Sequence, residues 1–94
     1  MSAINFEWDE NKNRLNQRKH GISFEEAASV FYDEYAILFD DPDHSGEEDR
    51  FLIIGTTGTE KICIVSHCYR NNDETVRIIS ARKATKPEKM IYTG

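Results

Sequence analysis

Cysteine, proline and tryptophan are scarce in this chain: it holds two, two and one of them among 94 residues. Cys63 and Cys68 lie in one expected strand, five positions apart. Odd spacing puts them on opposite faces, so they do not bridge each other. Without a CxxC pattern they do not suggest zinc either, and they read as two small buried thiols in a reducing compartment. With two prolines and five glycines, no repeat and no low-complexity linker appears. Long apolar runs are missing; Phe51–Gly55 is far too short to span a bilayer, so no membrane association is expected. The start, MSAINFEWDE, has neither a basic n-region nor an apolar h-region, so no signal peptide is expected and the cytoplasm is the default. Positive charge is also short. The formal net charge is −5, which argues against a generic nucleic-acid binder.

The total hides an asymmetry. Residues 1–66 carry 14 acids and 6 Lys/Arg, a net of −8, whereas residues 67–94 carry 3 acids and 6 Lys/Arg, a net of +3. A local positive region on an acidic body can still hold a phosphate, because local potential decides where an anion sits. Hydrophobic residues make up 38% and charged residues 31%, a globular balance, and 94 residues suit one domain over 1–94.

Punctuation along the chain predicts the elements. Phe6-Glu7-Trp8 is a short strand, and Asp9 can cap the polar helix ENKNRLNQRKH, which Gly21 ends in left-handed conformation. Ser23-Phe24-Glu25-Glu26 is a capping box, followed by the amphipathic face Phe24, Ala27, Ala28, Val30 and Phe31. Strands are expected at Tyr35–Phe39, Phe51–Gly55, Ile62–Arg70 and Thr75–Arg82, with an acidic loop DDPDHSGEED after the first. That loop lacks EF-hand spacing and reads as solvated; Glu48 and Arg50 matter most in it because they adjoin a strand. Pro87 suits the first turn of a short closing helix, KPEKMIY. The expected fold is α+β: a short N-terminal strand, two helices, a four-stranded antiparallel meander packed on helices at one face, and a C-terminal helix.

Arginines converge on the last two strands. On Ile62–Arg70, one face carries Ile62, Ile64, Ser66, Cys68 and Arg70, and the other carries Cys63, Val65, His67 and Tyr69. On the final strand Arg77, Ile79 and Ala81 share one face, and Val76, Ile78, Ser80 and Arg82 the other. In a regular strand Arg77 and Arg82 cannot share a face. Either a bulge or bend intervenes, or one of them has another task. The set could form an anion site, or the arginines could pair with Glu26, Glu48 or Glu88 and lock the sheet.

These residues carry a resemblance. FEWD, KHGISFEEA, VFYD, the segment from His44-Ser45 through Glu48 to Arg50, Ile54-Gly55, RIISARKAT and the pair Glu88 and Tyr92 occur in this order along nearly the whole chain. Together they resemble the BrnT family, the toxin half of BrnT–BrnA type II toxin–antitoxin modules; Pro87 departs from the family's usual charged or polar residue. The resemblance implies a RelE-like fold and a ribonuclease that arrests translation. It implies neutralisation by a BrnA-type antitoxin with a ribbon-helix-helix DNA-binding domain, in a heterotetramer or larger complex that touches DNA only through the antitoxin. Metal-free RNA cleavage by the 2′-hydroxyl needs proton movers and cations for the charged transition state, and arginine suits the second task. Arg70 and Arg77 are the expected phosphate stabilisers. Lys19, His20 and Tyr92 complete the catalytic candidates, and Arg82, Lys83, Glu48 and His67 are expected to bind RNA or support the site. Neither a metal nor a cofactor is expected. A non-catalytic protein of the same fold, which binds the antitoxin and tunes repression, is the competing reading.

Overall fold

A computed structural model describes residues 4–44 and 49–93. Strand β1 covers Asn5–Glu7, helix α1 Glu10–His20 and helix α2 Phe24–Ala28; a 3₁₀ turn follows at Ser29–Tyr32. Strand β2 is Ile37–Asp40, with a second 3₁₀ turn at Pro42–His44. Strands β3 (Phe51–Thr56), β4 (Ile62–Arg70) and β5 (Thr75–Lys83) come next, then helix α3 (Lys86–Thr93). β2 to β5 form the expected antiparallel meander. The expectation needs two corrections. β1 joins the sheet parallel to β5, giving a mixed five-stranded sheet in the order β1-β5-β4-β3-β2. The helices are not confined to one face, because Tyr92 of α3 packs with Ile54, Ile64 and Ala84 on the face away from α2. Among the described residues no helix is long and apolar enough to cross a membrane.

Local chemistry sets the element ends. Asp9 accepts from the N–H groups of Asn11 and Lys12, and Gly21 closes α1 at φ 70°. Ser23 accepts from the N–H of Glu26, which is half of a capping box. The other half is replaced: Glu26 instead accepts from the hydroxyls of Thr57 and Thr59 and lies 3.8 Å from Lys61. It thereby ties α2 to the β3–β4 turn. Asn71, Asn72 and Asp73, at φ 55°, 56° and 68°, turn β4 into β5; Asn and Asp tolerate this left-handed region better than other side chains.

The main core lies between the sheet and the helices, around Ile22, Phe24, Ala27, Val30, Val65 and Ile78. Helix α1 behaves differently. Its buried residues are Asn13 and Asn16, not apolar ones. Asn16 donates to the carbonyls of Ala81 and Ile22, both at 2.9 Å, and accepts from the N–H of Ala81 at 3.1 Å. Its carboxamide thus takes the place of a neighbouring strand along the β5 edge that three-residue β1 does not reach. Gly55 lets the chain after the first 3₁₀ turn cross closely over β3. A Cβ there would sit 2.9 Å from Val30 Cγ1 and 3.1 Å from both Ala36 Cβ and Asp33 Oδ2. Both cysteines are buried thiols, and burial pushes Cys63 up to about 11.

His67 is fully buried against Phe31, with ring centroids 4.8 Å apart. Its Nδ1 faces the Val65 carbonyl at 3.2 Å, and a carbonyl only accepts, so Nδ1 carries the proton; Nε2 then accepts from the Tyr69 hydroxyl at 3.3 Å. Burial holds the ring below the ordinary histidine range. An unfolded His67 takes a proton near pH 6.5 and the folded one does so only at lower pH. The unfolded state therefore binds more protons below pH 6.5, and the stability that His67 contributes above that pH is lost as pH falls towards the folded value. Carboxylates with lowered values, such as Glu26 and Glu88, act only below the ordinary 4.5. The melting temperature should therefore fall between about pH 6.5 and pH 5, and His67→Phe should flatten that segment. An unchanged slope in the variant would show that another group titrates there.

Candidate functional site

Pairing of β4 with β5 is interrupted once. Ser66 lies opposite Ser80 and His67 opposite Ile78, so Ile79 is an extra residue on β5. A bulge of this kind reverses which face the following residues present. Val76, Ile78 and Ala81 all enter the helix-side core, and Arg77, Ser80 and Arg82 consequently share the other face. This corrects the regular alternation expected for the strand. By register, Arg82 stands opposite Ile64, Ser80 opposite Ser66, Arg77 opposite Cys68, and Arg70 closes β4 opposite Thr75. Arg70, Arg77 and Arg82 therefore lie on one face. The rows of Arg77 and Arg82 are four β4 residues apart, about 13 Å along the strand.

His20 joins this face from α1. One helical turn beyond Asn16, it lines a depression of about 80 Å³ with Leu52, Ile64, Ser66, Ser80 and Arg82. The preceding residue, Lys19, is exposed at the same helix end. Ser66 and Ser80 were not among the expected site residues. Their pairing across the bulge is a matter of register, and only the break in apolar spacing (Val76, Ile78, then Ala81) hints at it in the sequence.

The arginines have acidic partners on this face. Arg77 Nη1 donates to Glu7 Oε2 at 2.7 Å across the β1–β5 pair, with both side chains partly exposed. Arg82 grips Glu88 through two nitrogens at 2.7 and 2.8 Å. That fork is the main cause drawing the Glu88 carboxyl down to about 2, and it also raises Arg82. Glu88 in turn accepts from the Thr85 N–H at 2.8 Å, and the Thr85 hydroxyl accepts from the Glu88 N–H at 3.4 Å, a capping box that starts α3. Arg82 thus connects the open face to the last helix. The expected alternative of a locking pair holds for Arg82 with Glu88, while Arg77 pairs with Glu7 and not with the carboxylates considered from sequence.

Other expected site residues are elsewhere. Tyr92 donates its hydroxyl to Asp33 Oδ2 and accepts from the Thr56 hydroxyl at 3.0 Å. Asp33 raises the phenol, so it stays neutral. Burial works against the charged form of Asp33, but hydrogen bonds from Tyr92, Thr56 and Tyr35 outweigh it and keep the carboxyl low. Thr56 pairs with Ile62, six residues along β4 from Cys68 opposite Arg77. Tyr92 is therefore roughly 20 Å along the strand from the Arg77 row. His67 has no solvent exposure, which corrects any direct contact between it and RNA. Lys83 follows Ala81 by two positions and so lies on the opposite face from Arg77 and Arg82. Glu48 lies outside the described residues. Among the described residues no three His, Cys, Asp or Glu side chains converge as metal ligands would.

Known proteins resemble this chain in sequence and in fold. A family model described as "Ribonuclease toxin, BrnT, of type II toxin-antitoxin system" matches residues 8–88. Among solved structures, the crystal structure of the Brucella abortus ribonuclease toxin BrnT is similar, with a TM-score of 0.68 and 26% sequence identity, covering 89% of this chain and 100% of that one. No curated protein matches. A family match over most of its length, and a fold similar to that of a whole BrnT chain, together place this chain in the BrnT family of ribonuclease toxins of type II toxin–antitoxin systems.

Proposed function

We propose that the chain is a RelE-like endoribonuclease that arrests translation in the cytoplasm. In this reading RNA cleaves itself under guidance. The 2′-oxygen attacks the adjacent phosphorus, the bond from phosphorus to the 5′-oxygen breaks, and the proton lost by the 2′-hydroxyl is balanced by one gained at the leaving oxygen. The products are a 2′,3′-cyclic phosphate and a 5′-hydroxyl. The observation that carries the reading is the Ile79 bulge, which sets Arg77, Ser80 and Arg82 on one face beside His20.

Roles follow from what each side chain touches. Arg77 engages Glu7 through Nη1, and a guanidinium has five N–H donors, so a phosphate can be gripped while the ion pair persists. Arg70, exposed at the end of β4 on the same face, is the second phosphate stabiliser. His20 moves protons in the depression it shares with Arg82, because imidazole is the side chain whose ordinary pKa suits proton transfer near neutrality. Lys19 adds positive charge to that helix end. Arg82 positions α3 through Glu88, and Tyr92 holds the far end of the same helix on Asp33 and Thr56. Lys83 and Glu48 are left in supporting roles. Type II membership implies an antitoxin partner; in this reading it is a BrnA-type protein with a ribbon-helix-helix DNA-binding domain, joined in a heterotetramer or larger complex. A second reading, a non-catalytic partner-binding protein, is favoured by one observation: Arg77 and Arg82 are both already paired with carboxylates.

Cleavage by the purified protein is expected to continue in excess EDTA and to leave cyclic or 3′-phosphate ends, because cationic side chains supply the charge stabilisation. Loss on chelation, with recovery on adding magnesium, would remove this mechanism. No cleavage under any condition would favour the non-catalytic reading.

Arg77→Ala and Arg70→Ala should each slow cleavage by roughly 10²–10³-fold, the scale of losing one transition-state charge stabiliser, with little change in melting temperature. Arg82→Ala should instead lower the melting temperature, Glu88→Ala should lower it further because Glu88 also caps α3, and the double variant should match Glu88→Ala, since the fork is already lost in it. Additive losses in that cycle would separate the two residues and require another role for Arg82.

A further inference from the structure

The face opposite the arginines carries a feature that RNA cleavage does not use. Rings there touch in a continuous series. Phe6 meets Phe31 at 5.4 Å, Phe31 meets His67 at 4.8 Å, His67 meets Tyr69 at 5.3 Å, and Tyr69 meets Phe51 at 5.3 Å. Among the described residues the series is not closed over. It opens in two adjoining grooves of about 530 and about 570 Å³, which share Tyr69 and Asp73. Phe51 and Asp49 line the first, and Phe31, Val76 and Glu74 the second. Asp49, Asp73 and Glu74 are exposed at the rim, and among the described residues no lysine or arginine lines either groove.

This combination selects its occupant. Half-buried aromatic walls favour apolar side chains and the flat face of a guanidinium. Three rim carboxylates favour cations and oppose a polyanion, so RNA does not fit. A second copy fits poorly as well. A symmetric contact would set one acidic rim against another, on chains that each carry a formal charge of −5. What fits is a polypeptide segment with arginines interleaved with apolar residues.

We infer that the paired grooves around Tyr69 are the docking site for an arginine-bearing, amphipathic segment of the antitoxin. The inference rests on the toxin–antitoxin reading and adds to it where the partner sits. Tyr69 and Arg70 are adjacent on β4 and point to opposite faces, so the docked segment and the arginine face meet at the Asn71–Glu74 turn. A partner anchored here reaches Arg70 and Arg77 by passing round that turn.

The test is calorimetric titration of the co-expressed antitoxin into wild-type protein, Asp49→Lys/Glu74→Lys and Tyr69→Ala. The double variant changes exposed positions and is expected to fold. It should bind roughly 10- to 100-fold more weakly, the range for reversing charges that face a complementary partner, and its RNA cleavage should equal that of the wild type. Tyr69→Ala should weaken binding similarly if its melting temperature shows it folded; if it does not fold, the double variant decides. Unchanged affinity of the double variant, while the wild type binds, would overturn the docking site alone. Altered RNA cleavage, or altered sedimentation of the chain by itself, would reassign the grooves to RNA or to self-association. Failure of the wild type to bind any antitoxin would overturn the toxin–antitoxin reading as well.

Discussion

Ile79 is one residue more than β4 has a partner for, and whether Arg82 joins Arg70 and Arg77 on the open face depends on where that extra residue is absorbed. Strand alternation has a period of two, so one inserted residue exchanges the faces of all that follow. Before the bulge, Val76 and Ile78 face the helices. After it, Ala81 does, and Arg82 turns towards the side of Arg77. Without the bulge Arg82 would enter the apolar layer among Phe24, Val65 and Ile78. A buried unpaired guanidinium is far costlier than one interrupted ladder. The same shift makes the Arg82–Glu88 fork possible, and that fork fixes the start of α3. The arginine face and the last helix are thus two consequences of one register change.

The bulge also settles how α1 is held. Past Arg77, β5 has no strand on the β1 side, and Asn16 supplies the missing pairing at Ala81. One turn later α1 delivers His20 to the depression that Arg82 lines. Asn13 does similar work nearer the helix start: it accepts from the Phe24 N–H at 2.8 Å and donates to Glu10 and Glu25. Buried carboxamides are tolerated because these bonds occupy their groups, and leaving one unpaired costs about 1–3 kcal/mol. A polar helix can therefore be docked firmly, and its position relative to β5 is fixed by directional bonds more than by apolar packing.

This explains how far the sequence could be read. Element ends were legible because they rest on neighbours: Asp9 and Gly21 bound α1, Ser23 starts α2, and Asn71–Asp73 make the last turn. The buried face of α2 and of the 3₁₀ turn after it followed from the spacing of Phe24, Ala27 and Val30. Tertiary choices were not local. Nothing in Asn5–Glu7 says that it pairs parallel to a strand seventy residues on, and nothing in a polar helix says that its asparagines are the buried side. The half of the Ser23 capping box that failed shows the same limit: Glu26 is drawn away by Thr57 and Thr59, which only the fold brings near. For the site, the arginines were legible as a set, but which of them share a face depended on Ile79, and Tyr92 was assigned by its company in the chain while its hydroxyl is bound at the other end of the sheet.

The charge distribution can now be given a structural form. A chain with a net charge of −5 should repel RNA at long range, yet a single sheet separates the opposing charges. One surface collects Arg70, Arg77 and Arg82, and the carboxylates of Glu7 and Glu88 pair with Arg77 and Arg82 there. The other presents aromatic rings edged by Asp49, Asp73 and Glu74. The two surfaces are back to back across the thickness of β4, and the Debye length at physiological salt is about 8 Å. Each face therefore dominates the potential on its own side, and the far face is attenuated. A face of arginines and a face rimmed by carboxylates can coexist on one small domain because the sheet lies between them. The β4–β5 turn, where the separation is least, is then the place where occupation of one face is felt most strongly at the other.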